Sequence, residues 1–156
     1  MQTFGKQERL CSEKLMDDLF RTGHRMMVFP FSIHWKLCPK EMLPANVPAQ
    51  VLIVTSKKKF HHAVDRNRVK RLTRECYRLH KPELYELLED RQVGLLLAVN
   101  YVHNDFLDFW VLYHKFDKIT SALLHGITAE TMDPNSATAT APLLTETQIP
   151  SLTPNP

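Results

Sequence analysis

Ten lysines and arginines fall between residues 57 and 81, against two carboxylates, Asp65 and Glu75. The 156-residue chain carries a net +3, so this segment at +8 leaves the remainder at −5. Charge concentrated in this way suits a polyanionic partner more than general solubility. Five of the six cations from Arg66 to Arg78 are arginines. Their planar guanidinium groups fork around phosphate oxygens and stack on bases. The preceding "SKKKFHH" adds Lys57, Lys58 and Lys59 beside Phe60 and two histidines. The chemistry these residues can do is phosphate binding.

No second set of residues supports bond-breaking chemistry. His61 and His62 are adjacent, and His80, His103, His114 and His125 have no carboxylate or cysteine at a recognisable catalytic spacing. No HExxH, Ser-His-Asp arrangement or Gly-rich phosphate loop is present. The three cysteines, Cys11, Cys38 and Cys76, form no CxxC pair and read as reduced thiols. No acidic cluster looks suited to the metal ions that phosphodiester hydrolysis commonly uses.

The cations must be held on a helix. At about 100° per residue, Val69, Leu72, Cys76 and Leu79 share one arc and predict a core face. Asn67, Lys70, Arg71, Arg74 and Arg78 fall opposite, with Arg66 and Arg68 on the flanks. Glu75 lies four residues after Arg71 and can pair with it. A solvated face laced with ion pairs is the common explanation for a charged helix, but the local acids here are too few.

Around this helix, "SEKLMDDLFRTG" predicts a short amphipathic helix capped by Ser12 and stopped by Gly23. Phe31, Ile33, Trp35 and Leu37 alternate with Ser32, His34, Lys36 and Cys38, the period of a strand. A proline-rich loop precedes "QVLIVTS", whose apolar run predicts a central strand. Pro82 is expected to open a separate helical turn or two. "VGLLLAVNYV" predicts a strand buried on both faces. A last helix is expected from Asp105, with Phe106, Phe109, Tyr113, Phe116, Thr120 and Leu123 on one face. Residues 128–156 contain no Lys or Arg, seven threonines and five prolines. They predict a disordered tail after a domain spanning residues 1–127. No stretch is long and apolar enough for a membrane span, and no secretory signal opens the chain, so a cytoplasmic protein is expected.

"AVDRNRVKRLTRECYR" resembles the signature helix of the protein subunit of bacterial ribonuclease P, through Arg66, Asn67, Arg68, Lys70, Arg71, Leu72 and Arg74. "SKKKF" and the opening Lys6, Arg9, Leu10, Leu19, Phe20 and Gly23 are similar as well. The resemblance implies an α+β fold, a small α/β sandwich of order αβββαβα with a left-handed βαβ crossover. The extra strand would lie near residues 26–29 or in the proline-rich loop. It further implies a subunit that binds the catalytic RNA, as a monomer in a 1:1 complex, and the 5′ leader of precursor tRNA. Hydrolysis would be carried out by the RNA and its Mg²⁺, with no catalytic or metal-binding side chain in the protein. Lys57, Lys58, Lys59, Arg66, Asn67, Arg68, Lys70, Arg71, Arg74 and Arg78 are then the expected RNA contacts. Met16, Phe20, His34 and Lys36 are the candidates for a leader groove between the first helix and the sheet. A structural, ribosome-associated RNA-binding protein is the alternative. Helix-turn-helix DNA binding is disfavoured because a strand precedes the basic helix.

Overall fold

Ser12 opens the first helix, α1 (Glu13–Thr22), its hydroxyl accepting from the Leu15 N–H at 3.3 Å. Gly23 closes it by donating to the Leu19 carbonyl at 2.9 Å. The glycine is required for space. A Cβ there would lie 2.4 Å from the Leu19 oxygen and 3.0 Å from the Trp35 oxygen. Because both neighbours are backbone, Gly23→Ala should destabilise the protein by about 1–3 kcal/mol. A lower urea midpoint at unchanged m would register it.

The computed structural model describes residues 4–132. After α1 come β1 (His24–Val28), β2 (Phe31–Pro39), β3 (Ala49–Thr55), α2 (Ala63–Arg91), β4 (Val93–Tyr101) and α3 (Phe109–Met132), the order αβββαβα. The extra strand is thus β1, paired antiparallel with β2 through registers such as Arg25↔His34. The sheet order is β1-β2-β4-β3, with β2 antiparallel and β3 parallel to β4. The parallel pair is joined through α2, so the basic helix is the crossover element.

Pleating divides the sheet into two buried faces. The pairs Ile33↔Val99 and Trp35↔Leu97, with Val51↔Leu97, place large apolar side chains on one face. There α2 and α3 pack, with Tyr77, Leu84, Leu97, Phe116, Ile119 and Leu123 lining a small interior gap. The other face presents Cys38, Leu96 and Ala98, which form one cluster with Leu10, Leu19 and Leu43. Leu15 and Met16 of α1 pack against that cluster. The chain divides after Leu123 into two compact units. Among the described residues the second consists of the last turns of α3, where the Thr131 hydroxyl donates to the Ile127 carbonyl at 2.7 Å.

Several elements differ from the expectations. Strand β3 is an edge strand, not a central one. Its apolar sequence reflects a covered edge: the Leu10 N–H donates to the Val51 carbonyl at 3.0 Å, so the N-terminal segment lies beside it. Helix α2 runs unbroken through Pro82. Proline removes one backbone bond, but Tyr77, Lys81, Leu84 and Leu88 are buried on either side, and their packing holds the helix together. The core face of α2 is also wider than the wheel implies. It includes Thr73, Tyr77 and Lys81, whereas Leu72 and Leu79 are only half-buried. Helix α3 starts at Phe109, capped by Asp108, whose carboxylate accepts from the Trp110 N–H at 3.1 Å. Asp105 instead serves the preceding loop, accepting the Tyr101 hydroxyl on its carbonyl at 2.6 Å. At its other end α3 continues through residues 128–132, which the composition places in the tail. Beyond Met132 the expected disordered segment lies outside the described residues.

A buried polar clasp ties the N-terminal segment to α2. The Glu8 carboxylate accepts from Lys81 Nζ at 2.6 Å, from the Tyr85 hydroxyl at 2.6 Å and from the Gly5 N–H at 2.7 Å. Burial pushes the Glu8 carboxyl up, but the bonds from Lys81, Tyr85 and Gly5 together outweigh it and hold the group below its ordinary 4.5. Because the folded value is depressed, the clasp's contribution is complete above about 4.5 and is lost as pH falls through the folded value. Glu8→Gln should therefore reduce the loss of stability on acidification below that pH. Urea midpoints of the two proteins between pH 3 and 6 check this.

Candidate nucleic-acid interface

Three cations on the outer side of α2 have no acidic partner among the described residues. Arg71 is exposed, and Lys70 and Arg74 are half-buried. Burial, and beside it the charges of Arg9 and Arg71, hold Arg74 below the ordinary arginine value. An arginine remains charged at neutral pH all the same, so Arg9, Arg71 and Arg74 form a concentrated positive surface. Asn67 is exposed on the same helix, one turn from Arg71. Lys57, Lys58 and Lys59 are exposed in the turn between β3 and α2. Ser56 shapes that turn: its hydroxyl accepts the Lys58 N–H at 3.0 Å and its carbonyl the Lys59 N–H at 3.1 Å.

The other candidate cations are already engaged. Arg66 donates to the carbonyls of Phe60 and His61, at 2.8 and 3.0 Å, and so pins the loop carrying the lysines. Arg68 lies 4.3 Å over the Phe106 ring, a cation–π contact. Phe60 is buried against Phe106 and Tyr101 and offers no ring to a ligand. Glu75 pairs with Arg78, through two bonds, and not with Arg71 as the spacing suggested. The reason is geometric: the i, i+3 partner brings its guanidinium fork parallel to the carboxylate.

On the opposite side of the molecule α1 and β2 form a second surface. Phe20 is 46% exposed and meets the His34 ring edge to face at 4.8 Å. Burial, and then the nearby Arg25, lower the pKa of His34 from 6.5. The ring is therefore mainly neutral at pH 7, and its Nδ1 is buried without a partner among the described residues. Lys36 is occupied, donating to Asp18 at 2.5 Å and to Thr22 at 2.7 Å. Met16 faces the core cluster. The surface thus brings Phe20 and His34 together and does not add a free Lys36 or Met16 to them.

Sequence reasoning missed two cations. Arg9 shows in the sequence only as part of the N-terminal pattern "KQERL", with nothing local to place it beside α2. Arg25 was missed because β1 has no clear alternation; its register opposite His34 gives it a place on this surface. Among the described residues, no three His, Cys, Asp or Glu side chains converge as a metal-binding group. Nor is any helix among them long and apolar enough to cross a membrane.

An α+β sandwich that crosses over through an arginine-rich helix, with one face of that helix unneutralised, defines an RNA-binding protein. The ribonuclease P family profile matches residues 4–110. The ribonuclease P protein component of Porphyromonas gingivalis is 36% identical over 118 residues, covering 74% of this chain and 84% of that protein. That of Chlorobium phaeobacteroides is 32% identical over 129 residues, covering 78% and 86%. Among solved structures, the Staphylococcus aureus protein superposes with a TM-score of 0.53 at 17% identity, over 75% of this chain and 95% of that one. The Thermotoga maritima protein does so with a TM-score of 0.55 at 19% identity, over 74% and 96%. The chain belongs to the ribonuclease P protein family. It is a subunit of a ribonucleoprotein endoribonuclease of tRNA processing, and the ribosome-associated alternative is not favoured.

Proposed function

We propose that this subunit binds the catalytic RNA through the outer face of α2 and the 5′ leader of precursor tRNA through the surface between α1 and the sheet. The observation that carries the reading is the set of cations Lys70, Arg71 and Arg74, which have no acidic partner among the described residues. A polyanion supplies the missing counter-charge. Lys57, Lys58, Lys59 and Asn67 extend the contact. Arg66, Arg68 and Arg78 support it from within the protein. At the second surface, Phe20 stacks a leader base, neutral His34 backs it, and Arg25 meets the adjacent phosphate.

The division of labour follows from these groups. The protein holds and orients two RNAs and lowers their repulsion, which is catalysis by positioning. Hydrolysis falls to the RNA with Mg²⁺ bound to it, since metal ions activate water for phosphodiester cleavage. One protein acts with one RNA, in the cytoplasm. Reconstitution tests the reading: ribonuclease P RNA from the same genome is incubated with leader-bearing precursor tRNA, with and without the chain. The protein should lower the KM for precursor and the Mg²⁺ needed. No effect at saturating protein would overturn the assignment.

A further inference from the structure

Residues 4–10 lie between α2 and the outer edge of β3, fastened on both sides. Toward α2, Glu8 receives Lys81, Tyr85 and Gly5, and the Tyr85 oxygen accepts the Tyr77 hydroxyl at 2.9 Å. Phe4 adds an edge-to-face contact with Tyr77 at 5.8 Å. Toward β3, Arg9 bridges to Val51, Leu10 donates to the Val51 carbonyl, and Gln50 donates to the Gln7 carbonyl at 2.9 Å.

We propose that Glu8 is a positioning residue that holds Arg9 on the RNA face of α2, where Arg9 makes a phosphate contact beside Arg71 and Arg74. The inference rests on the α2 reading above. Glu8 ends a short 3-10 helix (Lys6–Glu8) and Arg9 follows it in extended backbone, so the two side chains part: Glu8 is turned into the clasp and Arg9 is exposed. Arg9 has no acidic partner among the described residues, and its charge acts directly on Arg74. A strap serving stability alone would gain from an acid beside Arg74. An arginine adds repulsion, which the clasp must hold in place and which a phosphate backbone would relieve. The two adjacent residues thus divide the work, Glu8 anchoring and Arg9 binding.

Full-length protein and its Arg9→Ala, Glu8→Ala and double variants are titrated with ribonuclease P RNA over a salt series, with folding checked by circular dichroism. Each single variant should lose about 10-fold in affinity and flatten the log–log salt slope by about 0.7 to 0.9. The double variant should lose no more than the worse single, because Glu8 acts through Arg9. Glu8→Gln, which keeps an acceptor for Lys81 and Tyr85, should restore most of the loss. A folded Glu8→Ala with unchanged slope, or losses that add in the double variant, overturns the proposal. Should Glu8→Ala fail to fold, Tyr85→Phe loosens the same clasp and is judged by the same two criteria. Lys70→Ala, run alongside, separates the two readings. If it flattens the slope while Arg9→Ala does not, only this inference falls. If neither does, the RNA does not lie on α2.

Discussion

Replacing Arg71 and Arg74 together by glutamate should weaken binding of ribonuclease P RNA by about 10²-fold or more, with the urea midpoint of the free protein nearly unchanged. A hydrogen bond to a charged group is worth about 1.5–3 kcal/mol, and two such contacts correspond to at least two decades of affinity. The log–log salt slope should fall by about 0.7 to 0.9 for each contact removed. Stability is spared for a local reason. These side chains lie opposite the buried Val69, Thr73 and Cys76. In the free protein they also repel one another and Arg9. Reversing both charges turns their repulsion of Arg9 into attraction, leaves one like-charge pair as before, and does not touch the core. A folded double variant with an unchanged slope would place the RNA on another surface.

The second large effect is expected at Phe20. Its ring is exposed, rests edge-on against His34, and contributes little to the core. Stacking of one base is worth about 1–3 kcal/mol. Phe20→Ala should therefore weaken binding of precursor tRNA to the reconstituted holoenzyme by about 5- to 150-fold. Mature tRNA, which has no leader, should bind almost as before. His34→Ala should act in the same direction, since the neutral imidazole fixes the Phe20 ring. The two affinities are measured for each variant. Equal losses for precursor and mature tRNA would remove Phe20 from the leader and make it a structural residue of α1.

What was legible from residue order alone is what depends on short-range periodicity and chemical type. Ser12 and Gly23 bound α1 as expected because capping and steric space are set within one helical turn. The cationic face of α2 was legible because its charge excess is local and helical spacing sorts it from Val69 and Cys76. The burial of β4 on both sides followed from its unbroken apolar run.

Tertiary structure decided the rest. Pro82 reads as a boundary because it breaks local hydrogen bonding, yet packing of distant chain segments on Tyr77, Lys81 and Leu84 carries α2 past it. The apolar β3 reads as central, but its covering comes from residues 9–10, some forty positions away. Which arginines are free for RNA was equally hidden. Arg66 and Arg68 share the composition of Arg71 and Arg74, but Arg66 turns back to the carbonyls of the loop just before the helix, and Arg68 is engaged by the distant Phe106. Residue type and helical spacing determined that α2 carries a cationic face opposite its core face. The folded geometry determined which side chains remain available: spacing leaves open whether Glu75 pairs with Arg71 or Arg78, and the ring that engages Arg68 lies in a segment the sequence keeps apart.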